Sequence, residues 1–368
     1  MRRHDFAPKL AKVITEYSRP IQPGQLVVLT GNLESLPLLE ALYVATLQRG
    51  ANPHVMYSPP GFGELYMHYA TDAQLDYVDP ITEFVYAKAD VLINIEAPLN
   101  TKAMASSDPA KIARSQSATG HLFKAFLERI GSGSILWGLV AWPTQAAAQQ
   151  TDMGFHAYSE FLYRACGLHT DDPVGYWMKM RDDQTRLVDW LKDKSHAVIK
   201  GPGIDMSFDF QGRIWESAHG ELNFPDGEIF TGPIEDSVNG WVHFNMKSIY
   251  YGREVEGVKF RFEQGRIVEA SATKGEDTLM SQLDMDEGAR RLGEFAIGTN
   301  FGVDRITGSI LLDEKIGGSI HMAIGNSIPQ TLGVNESKVH WDIVHGMQDG
   351  GKIWIDDVLF YDSGKFLV

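Results

Sequence analysis

The chain has 368 residues, a length more typical of two domains than of one. Its 48 acidic and 33 basic residues give a net charge of −15, which repels phosphate backbones and anionic lipid, so we expect neither a nucleic-acid nor a membrane partner. The single cysteine, Cys166, excludes an internal disulfide framework and a multi-thiolate zinc site. The N-terminal segment has no apolar signal-peptide core, and we expect a cytoplasmic protein.

The first half of the sequence alternates apolar runs with helical patterns. An apolar run at 23–32 precedes leucines and alanines at helical spacing over 36–53, and a second run follows at 54–58. A right-handed crossover makes such strands parallel. Further strand-then-loop patterns occur at 89–98 and 134–143. We therefore predict an α/β domain with a doubly wound, mostly parallel sheet over residues 1–190.

The second half changes character. Short alternating runs punctuated by glycine occupy 196–217 and 252–272, a pattern typical of antiparallel strands and hairpins. A polar helical segment at 181–197 leads into this part of the chain. We predict a second domain of the α+β class over residues 191–368.

Several acidic and imidazole side chains of this second domain stand in apolar, glycine-flanked segments. Glu228, Glu294 and His321 are three such residues. Taken singly, Glu228 is compatible with a turn cap, Glu294 with a solvated helix face and His321 with a core histidine. His340 and Asp342 are two residues apart, so on a strand they point to the same face. Such groups are costly to bury without a partner. Together they predict a Glu/His/Asp cluster for zinc, cobalt or manganese, with enough carboxylates for two metals.

Four segments carry a more specific signal: PDGEIFTGP (225–233), LGEFAIGTN (292–300), GGSIHMAIG (317–325) and NESKVHWD (335–342). In their order and approximate spacing they resemble the motifs of the M29 metallo-aminopeptidases, the group that contains aminopeptidases T and S. The resemblance covers essentially the whole chain. It implies an N-terminal α/β domain, a C-terminal catalytic domain with a two-metal site, and a homodimer whose active sites face an enclosed cavity.

The resemblance also implies a function and a ligand set. The expected enzyme hydrolyses N-terminal residues from peptides through a water activated by two divalent metal ions. Glu294 would bridge the metals and act as the general base. Matched motif by motif, the implied metal ligands are Glu228, Glu294, His321, His340 and Asp342, with Glu314 as a further candidate.

One position departs from the family pattern. In the family a tyrosine lies seven residues after the first metal-binding histidine and is thought to assist at the scissile carbonyl, whereas this chain has Ile328 there. Isoleucine has no hydrogen-bond donor in its side chain. The substitution implies a slow aminopeptidase, and it also leaves open a weakly active or non-enzymatic homologue.

A different chemistry is the alternative. Ring-cleaving dioxygenases of the dihydroxypyridine type resemble this peptidase family but hold one iron with two histidines and one carboxylate. His321, His340 and Asp342 could supply such a triad. In those oxygenases a histidine stands where this chain has Glu294, so the retention of Glu228 and Glu294 favours hydrolysis.

Overall fold

The computed structural model describes residues 4–250 and 252–368. By their internal contacts these residues divide into two compact units. Unit 1 contains the chain up to Tyr176 together with Gly220–Pro225, and unit 2 contains Trp177–His219 and Asp226–Val368. The sequence-predicted boundary at residue 190 falls at the end of a helix, Pro173–Leu191, which the division between the units crosses.

Unit 1 is built on one parallel sheet. Its strands are β1 (Leu26–Gly31), β2 (Asn52–Tyr57), β3 (Val91–Glu96), β4 (Leu136–Ala141) and β8 (Asn223–Phe224), in the order β2-β1-β3-β4-β8. The helices that end within unit 1 are α1 (Phe6–Val13), α2 (Leu36–Gln48), α3 (Phe62–Tyr69), α4 (Asp72–Leu75), α5 (Pro80–Lys88), α6 (Pro109–Gly131), α7 (Gln145–Gln150) and α8 (Phe155–Ala165).

The predicted β-α-β arrangement is confirmed in this unit. Strand β1 pairs in parallel with β2, starting at Leu26 opposite Asn52, and helix α2 forms the crossover between them. Val27, Val28 and Leu29 are buried, as expected for an inner strand of a parallel sheet that is covered on both faces. The α/β fold class predicted for the first part of the chain is therefore correct.

Unit 2 is dominated by antiparallel strands, again as predicted. An eight-stranded sheet contains β5 (His196–Gly201), β6 (Ile204–Asp209), β10 (Asn239–His243), β13 (Lys259–Glu263), β14 (Arg266–Ser271), β18 (Lys352–Ile355), β19 (Val358–Asp362) and β20 (Lys365–Phe366). A hairpin pairs β11 (Ser248–Tyr250) with β12 (Arg253–Val255). The helices are α9 (Pro173–Leu191), which starts in unit 1, α10 (Glu276–Leu283) and α11 (Ile310–Asp313).

A second sheet of unit 2 positions the candidate site, and we call it the site sheet. Its strands are β7 (Glu216–Ala218), β9 (Glu228–Thr231), β15 (Leu292–Gly298), β16 (Ser319–Gly325) and β17 (His340–Gly346), in the order β17-β16-β15-β9-β7. Every residue of β15 and of β16 is buried.

The site sheet is apolar on the face that packs into the core of unit 2. Phe295, Ile297, Met322, Ile324 and Trp341 alternate along β15, β16 and β17 and belong to one buried apolar cluster with side chains of the eight-stranded sheet. Phe295 packs against Phe208 of β6, with ring centroids 4.8 Å apart. Because side chains alternate along a strand, the intervening residues point to the opposite face, and those residues include the predicted metal ligands.

Among the described residues no helix combines the length and apolar character needed to cross a bilayer.

Candidate metal centre

The pairing of four neighbouring strands brings the predicted ligands to one face of the site sheet. Glu228 starts β9, Glu294 lies on β15, His321 lies on β16, and β17 supplies both His340 and Asp342. These strands are consecutive neighbours, so residues far apart in the sequence become adjacent in space. All five side chains converge, as the sequence predicted for a shared cluster.

A small residue lies opposite each of these side chains on the neighbouring strand. Ala323 lies opposite both Glu294 and Asp342, and Ala296 lies opposite His321. Glycines lie opposite the remaining two: Gly298 faces Glu228 and Gly325 faces His340. Directly opposed side chains stand about 4.5–5.5 Å apart at Cβ. A larger residue at Ala296 or Ala323 would enter the space that the polar side chains share, whereas a side chain at Gly298 or Gly325 would meet the backbone of Ile316 or Val339.

The polar side chains form two groups that share Glu294. Glu228, Glu294 and His321 form one group, and Glu294, His340 and Asp342 form the other; within each, one donor atom per residue lies within 4.8 Å of the others. Glu294 Oε1 is 3.5 Å from His321 Nε2, and its Oε2 is 3.4 Å from His340 Nε2. We call the first group, which contains His321, set A, and the second group, which contains His340, set B. Each oxygen of Glu294 faces the histidine of a different set.

The other distances complete the two sets. Glu228 Oε2 lies 3.5 Å from His321 Nε2 in set A. Asp342 Oδ2 lies 3.5 Å from His340 Nε2 in set B, and Asp342 Oδ1 lies 3.9 Å from His321 Nε2. The side chain of His340 is 36% exposed, whereas the other four are buried, so set B is the one that solvent reaches.

Buried polar atoms without hydrogen-bond partners mark this cluster. Both ring nitrogens of His321, Glu228 Oε2 and Asp342 Oδ1 are buried and have no hydrogen-bond partner. Such atoms are rare in folded proteins because each unsatisfied group is costly. Oxygen and imidazole donors with free lone pairs pointing into a common space fit divalent metals such as zinc, cobalt or manganese. The residues present therefore fit a divalent metal ion.

The two histidines would be protonated in this cluster without metal. Burial lowers the pKa of His321, but the nearby carboxylates of Glu294, at 3.5 Å, and Glu228 outweigh burial and raise it to about 9. Burial also lowers the pKa of His340, while the charge of Asp342 and the contact with Glu294 raise it to about 10. A divalent ion would have to displace these protons, because only the neutral ring donates a lone pair.

The three carboxylates of the two sets differ in their pKa. Burial raises the pKa of Glu294, but its contacts with His321 and His340 outweigh burial and lower the pKa to about 2. Burial raises the pKa of Glu228 to about 8, despite the opposing charge of Lys315. Burial and then the charge of Glu314 raise the pKa of Asp342 to about 7. Glu294 is thus the carboxylate most firmly held in its ionised form.

A residue that the sequence reasoning missed lies beside set A. Lys315 is 1% exposed, and its Nζ donates to Glu228 Oε1 at 2.5 Å and to Glu314 Oε2 at 2.9 Å. Glu314, the sixth candidate ligand, therefore has Lys315 as its partner and belongs to neither set. A buried lysine in an Asp-Glu-Lys run looks like a surface charge cluster in the sequence, because nothing local indicates its burial.

Ile328 lies just beyond β16, on the connection that leads to β17. It is half-buried and precedes a short 3₁₀ turn, Pro329–Thr331. The same connection contributes the carbonyl oxygen of Asn326, which accepts a hydrogen bond from His340 Nδ1 at 2.8 Å. The position that departs from the family motif is therefore two residues from the carbonyl that orients His340 of set B.

Comparisons with known proteins agree with this geometry. A sequence profile described as thermophilic metalloprotease (M29) matches residues 5–366. The chain belongs to the M29 metallopeptidase family. Membership makes it a metal-dependent peptide hydrolase, as predicted.

Individual relatives of this M29 enzyme span nearly its full length. It is 26% identical to aminopeptidase 2 of Geobacillus stearothermophilus over 93% of this chain and 92% of the relative. It is 27% identical to aminopeptidase T of Thermus thermophilus, with the same coverage. Among solved structures, wild-type AmpT from Thermus thermophilus superposes with a TM-score of 0.86 at 24% identity, over 99% of both chains.

A second solved structure shares the fold more distantly. The 2,5-dihydroxypyridine dioxygenase of Pseudomonas putida superposes with a TM-score of 0.59 at 12% identity, over 100% of this chain and 98% of that one. At this identity the likeness concerns the fold alone. The M29 fold therefore also occurs in an oxygenase, and the side chains at the site have to decide the chemistry.

Proposed function

We propose that this M29 protein is an aminopeptidase that removes N-terminal residues from peptides with two divalent metal ions. Glu228, Glu294 and His321 would hold one ion, and Glu294, His340 and Asp342 would hold the other. The observation that carries the proposal is the division of the Glu294 carboxylate, whose two oxygens face different histidines. A carboxylate shared in this way suits two ions held close together.

The donor atoms indicate which metals suit the centre. Both sets contain two carboxylates and one imidazole, and neither contains sulfur. Zinc, cobalt and manganese accept such mixed oxygen and nitrogen ligation. We therefore propose two ions drawn from these three metals.

The side chains of the centre would have different roles in hydrolysis. When bound, two divalent ions lower the pKa of a water and polarise the carbonyl under attack. Glu294 would accept the proton of that water and pass it to the leaving amine, as a general base and then a general acid. His340 is oriented for its part by Asn326, whose carbonyl oxygen receives the Nδ1 hydrogen and leaves Nε2 facing Glu294 and Asp342.

The net charge of the chain suits a cationic substrate group. The chain carries a net charge of −15, which favours the approach of cations. The free α-amine of a peptide is such a group, and its recognition would select N-terminal residues. Relatives that are named aminopeptidases support this specificity. A homodimer with enclosed active sites remains part of the proposal.

The composition of the two sets argues against the oxygenase alternative. A mononuclear iron centre of that class needs two histidines and one carboxylate. In this protein each set combines one histidine with two carboxylates, and Glu294 stands between His321 and His340. The arrangement therefore supports hydrolysis rather than oxygen chemistry.

A metal-loaded assay tests the proposal. The enzyme would be loaded with zinc, cobalt or manganese and given dipeptides, aminoacyl amides and their N-acetylated counterparts. We expect about two ions per chain by elemental analysis and hydrolysis only of substrates with a free amine. Equal hydrolysis of the acetylated substrates, or oxygen uptake with iron and a dihydroxypyridine but no hydrolysis, would contradict the proposal.

A further inference from the structure

Lys315 is a buried cation that touches a metal-ligand candidate. Its Nζ atom lies 2.5 Å from Glu228 Oε1, 2.9 Å from Glu314 Oε2 and 3.5 Å from Asp226 Oδ1. The side chain is 2% exposed, so neither solvent nor a peptide substrate reaches the ammonium group. A lysine so deeply buried is costly unless carboxylates surround it, and here three of them do.

The two oxygens of Glu228 have different surroundings. Oε1 accepts the hydrogen bond from Lys315, whereas Oε2 has no hydrogen-bond partner and faces His321 Nε2 at 3.5 Å. A carboxylate can bind a metal through one oxygen or through both. The contact with Lys315 leaves only Oε2 available in set A.

We infer that Lys315 is a positioning residue that withholds one oxygen of Glu228 from the metal in set A. Glu228 would then bind through Oε2 alone, and a coordination position would stay available for water or substrate. This inference rests on the two-ion centre proposed above. Catalytic metal sites differ from structural ones in keeping such an open position.

Charge acts in the same direction as geometry. An ammonium group beside a ligand repels a divalent cation and competes for the electrons of the shared carboxylate. Lys315 thus lowers the affinity of set A while it keeps Glu228 in place. Removal of Lys315 would free Oε1 of Glu228 for the metal and would also remove the positive charge that repels it. Both changes strengthen metal binding in set A.

The test replaces Lys315 by methionine and measures metal binding directly. We expect Lys315→Met to bind one of the two cobalt ions about 10–100-fold more tightly in competition with a chelator. Loss of a ligand's partner usually changes affinity by a factor of this size but in the opposite direction, so the sign of the change is decisive. The visible absorption of that cobalt ion should weaken as its coordination number rises. The kcat on aminoacyl amides should fall at full metal occupancy, because the open position is lost.

The matched control is Lys274→Met, which removes an exposed lysine that also pairs with two carboxylates, Glu254 and Glu256. Lys274→Met should change neither the affinity for cobalt nor the visible absorption of the bound cobalt ions. A folded Lys315→Met protein with unchanged or weaker binding of both ions would overturn the inference. If that variant does not fold, Lys315→Leu, which also lacks a hydrogen-bond donor, is judged by the same criteria. A parent protein that binds fewer than two ions would instead refute the proposed centre.

Discussion

The imidazole of His340 donates its Nδ1 hydrogen to the carbonyl oxygen of Asn326 at 2.8 Å. The bond fixes both the ring orientation and the tautomer, so that Nε2 is the nitrogen that faces Glu294 and Asp342. Asn326 is itself held, because its Oδ1 accepts from the backbone N–H of Ser337 at 3.2 Å. The Asn-Glu-Ser turn before His340 therefore anchors the connection between β16 and β17 on which this ligand depends.

The first prediction concerns set B. Replacing His340 or Asp342 by alanine should reduce bound metal from about two ions per chain to about one and abolish hydrolysis, because set B loses one of three ligands. Elemental analysis after gel filtration measures the metal, and circular dichroism checks the fold. His243→Ala, which removes an exposed imidazole on β10, is the control and should keep both ions. Full metal content in both set B variants would refute the assignment.

The second prediction concerns the shared carboxylate. Glu294→Gln should lower kcat by about 10²–10⁴-fold, the usual size of a general-base contribution, and should weaken metal binding less. An amide keeps only one of the two oxygens for coordination and cannot take up the proton, so the rates are compared at full metal occupancy. Glu314→Gln is the comparison, since Glu314 is a carboxylate beside set A that belongs to neither set. If Glu314→Gln loses the rate while Glu294→Gln stays within a few-fold of the parent, the base is Glu314.

The third prediction concerns Ile328. A tyrosine hydroxyl there would offer a hydrogen bond to the oxyanion that forms during attack, a contact worth about 10²–10³ in rate. Ile328→Tyr should therefore raise kcat on aminoacyl amides with a smaller change in KM. Ile328→Phe adds the same ring without the hydroxyl and should not raise kcat. A gain in both variants, or a fast parent enzyme slowed by tyrosine, would show that this position contributes shape alone.

The fourth prediction concerns pH. The metal-free fold raises the pKa of His321 from 6.5 to about 9 and that of His340 to about 10. Their contribution to stability is therefore complete below pH 6.5 and is lost as the pH rises through 9 and 10. The Tm of the metal-free protein should fall across this range. With zinc bound the rings are already neutral, so the fall should be smaller; identical profiles with and without zinc would contradict the prediction.

The same protons govern metal affinity. Because each bound ion must displace a proton from an imidazole, apparent affinity should rise with pH up to the pKa of His321, about 9. Each displaced proton contributes about tenfold per pH unit. Calorimetry in two buffers of different ionisation enthalpy measures the protons released. Zero release at pH 7 would show that the rings are neutral before the metal arrives.

The fifth prediction concerns the small residues between the ligands. Ala323→Leu should abolish binding of at least one ion, because its side chain would fill the space between Glu294 and Asp342. Overpacking of this kind costs about 1–3 kcal/mol, so the variant should fold with a lowered Tm. Ala323→Ser is the control of similar size and should retain both ions. Normal metal content in Ala323→Leu would show that the cluster is roomier than the strand register indicates.

The sequence by itself determined that strands and helices alternate in the first half of the chain and that antiparallel strands follow in the second. It also determined which residues are candidate metal ligands. His321 and Asp342 each stand between two large apolar residues, and Glu294 stands between a glycine and a phenylalanine. A period of two assigns the polar and apolar side chains to opposite faces of a strand. The predicted strands of the first half differ from the observed ones by a few residues at their ends. Periodicity locates the interior of an element well, whereas its ends depend on capping and packing.

Only the tertiary structure decided how these residues combine. Glu228 and His340 are more than a hundred positions apart, and it is the order of β9, β15, β16 and β17 that makes them parts of one centre. The division of the candidate ligands into two sets and the contact of Lys315 with Glu228 depend on the same pairing. The physical reason is that strand pairing joins distant segments, and local sequence specifies the faces of a strand but not its neighbours.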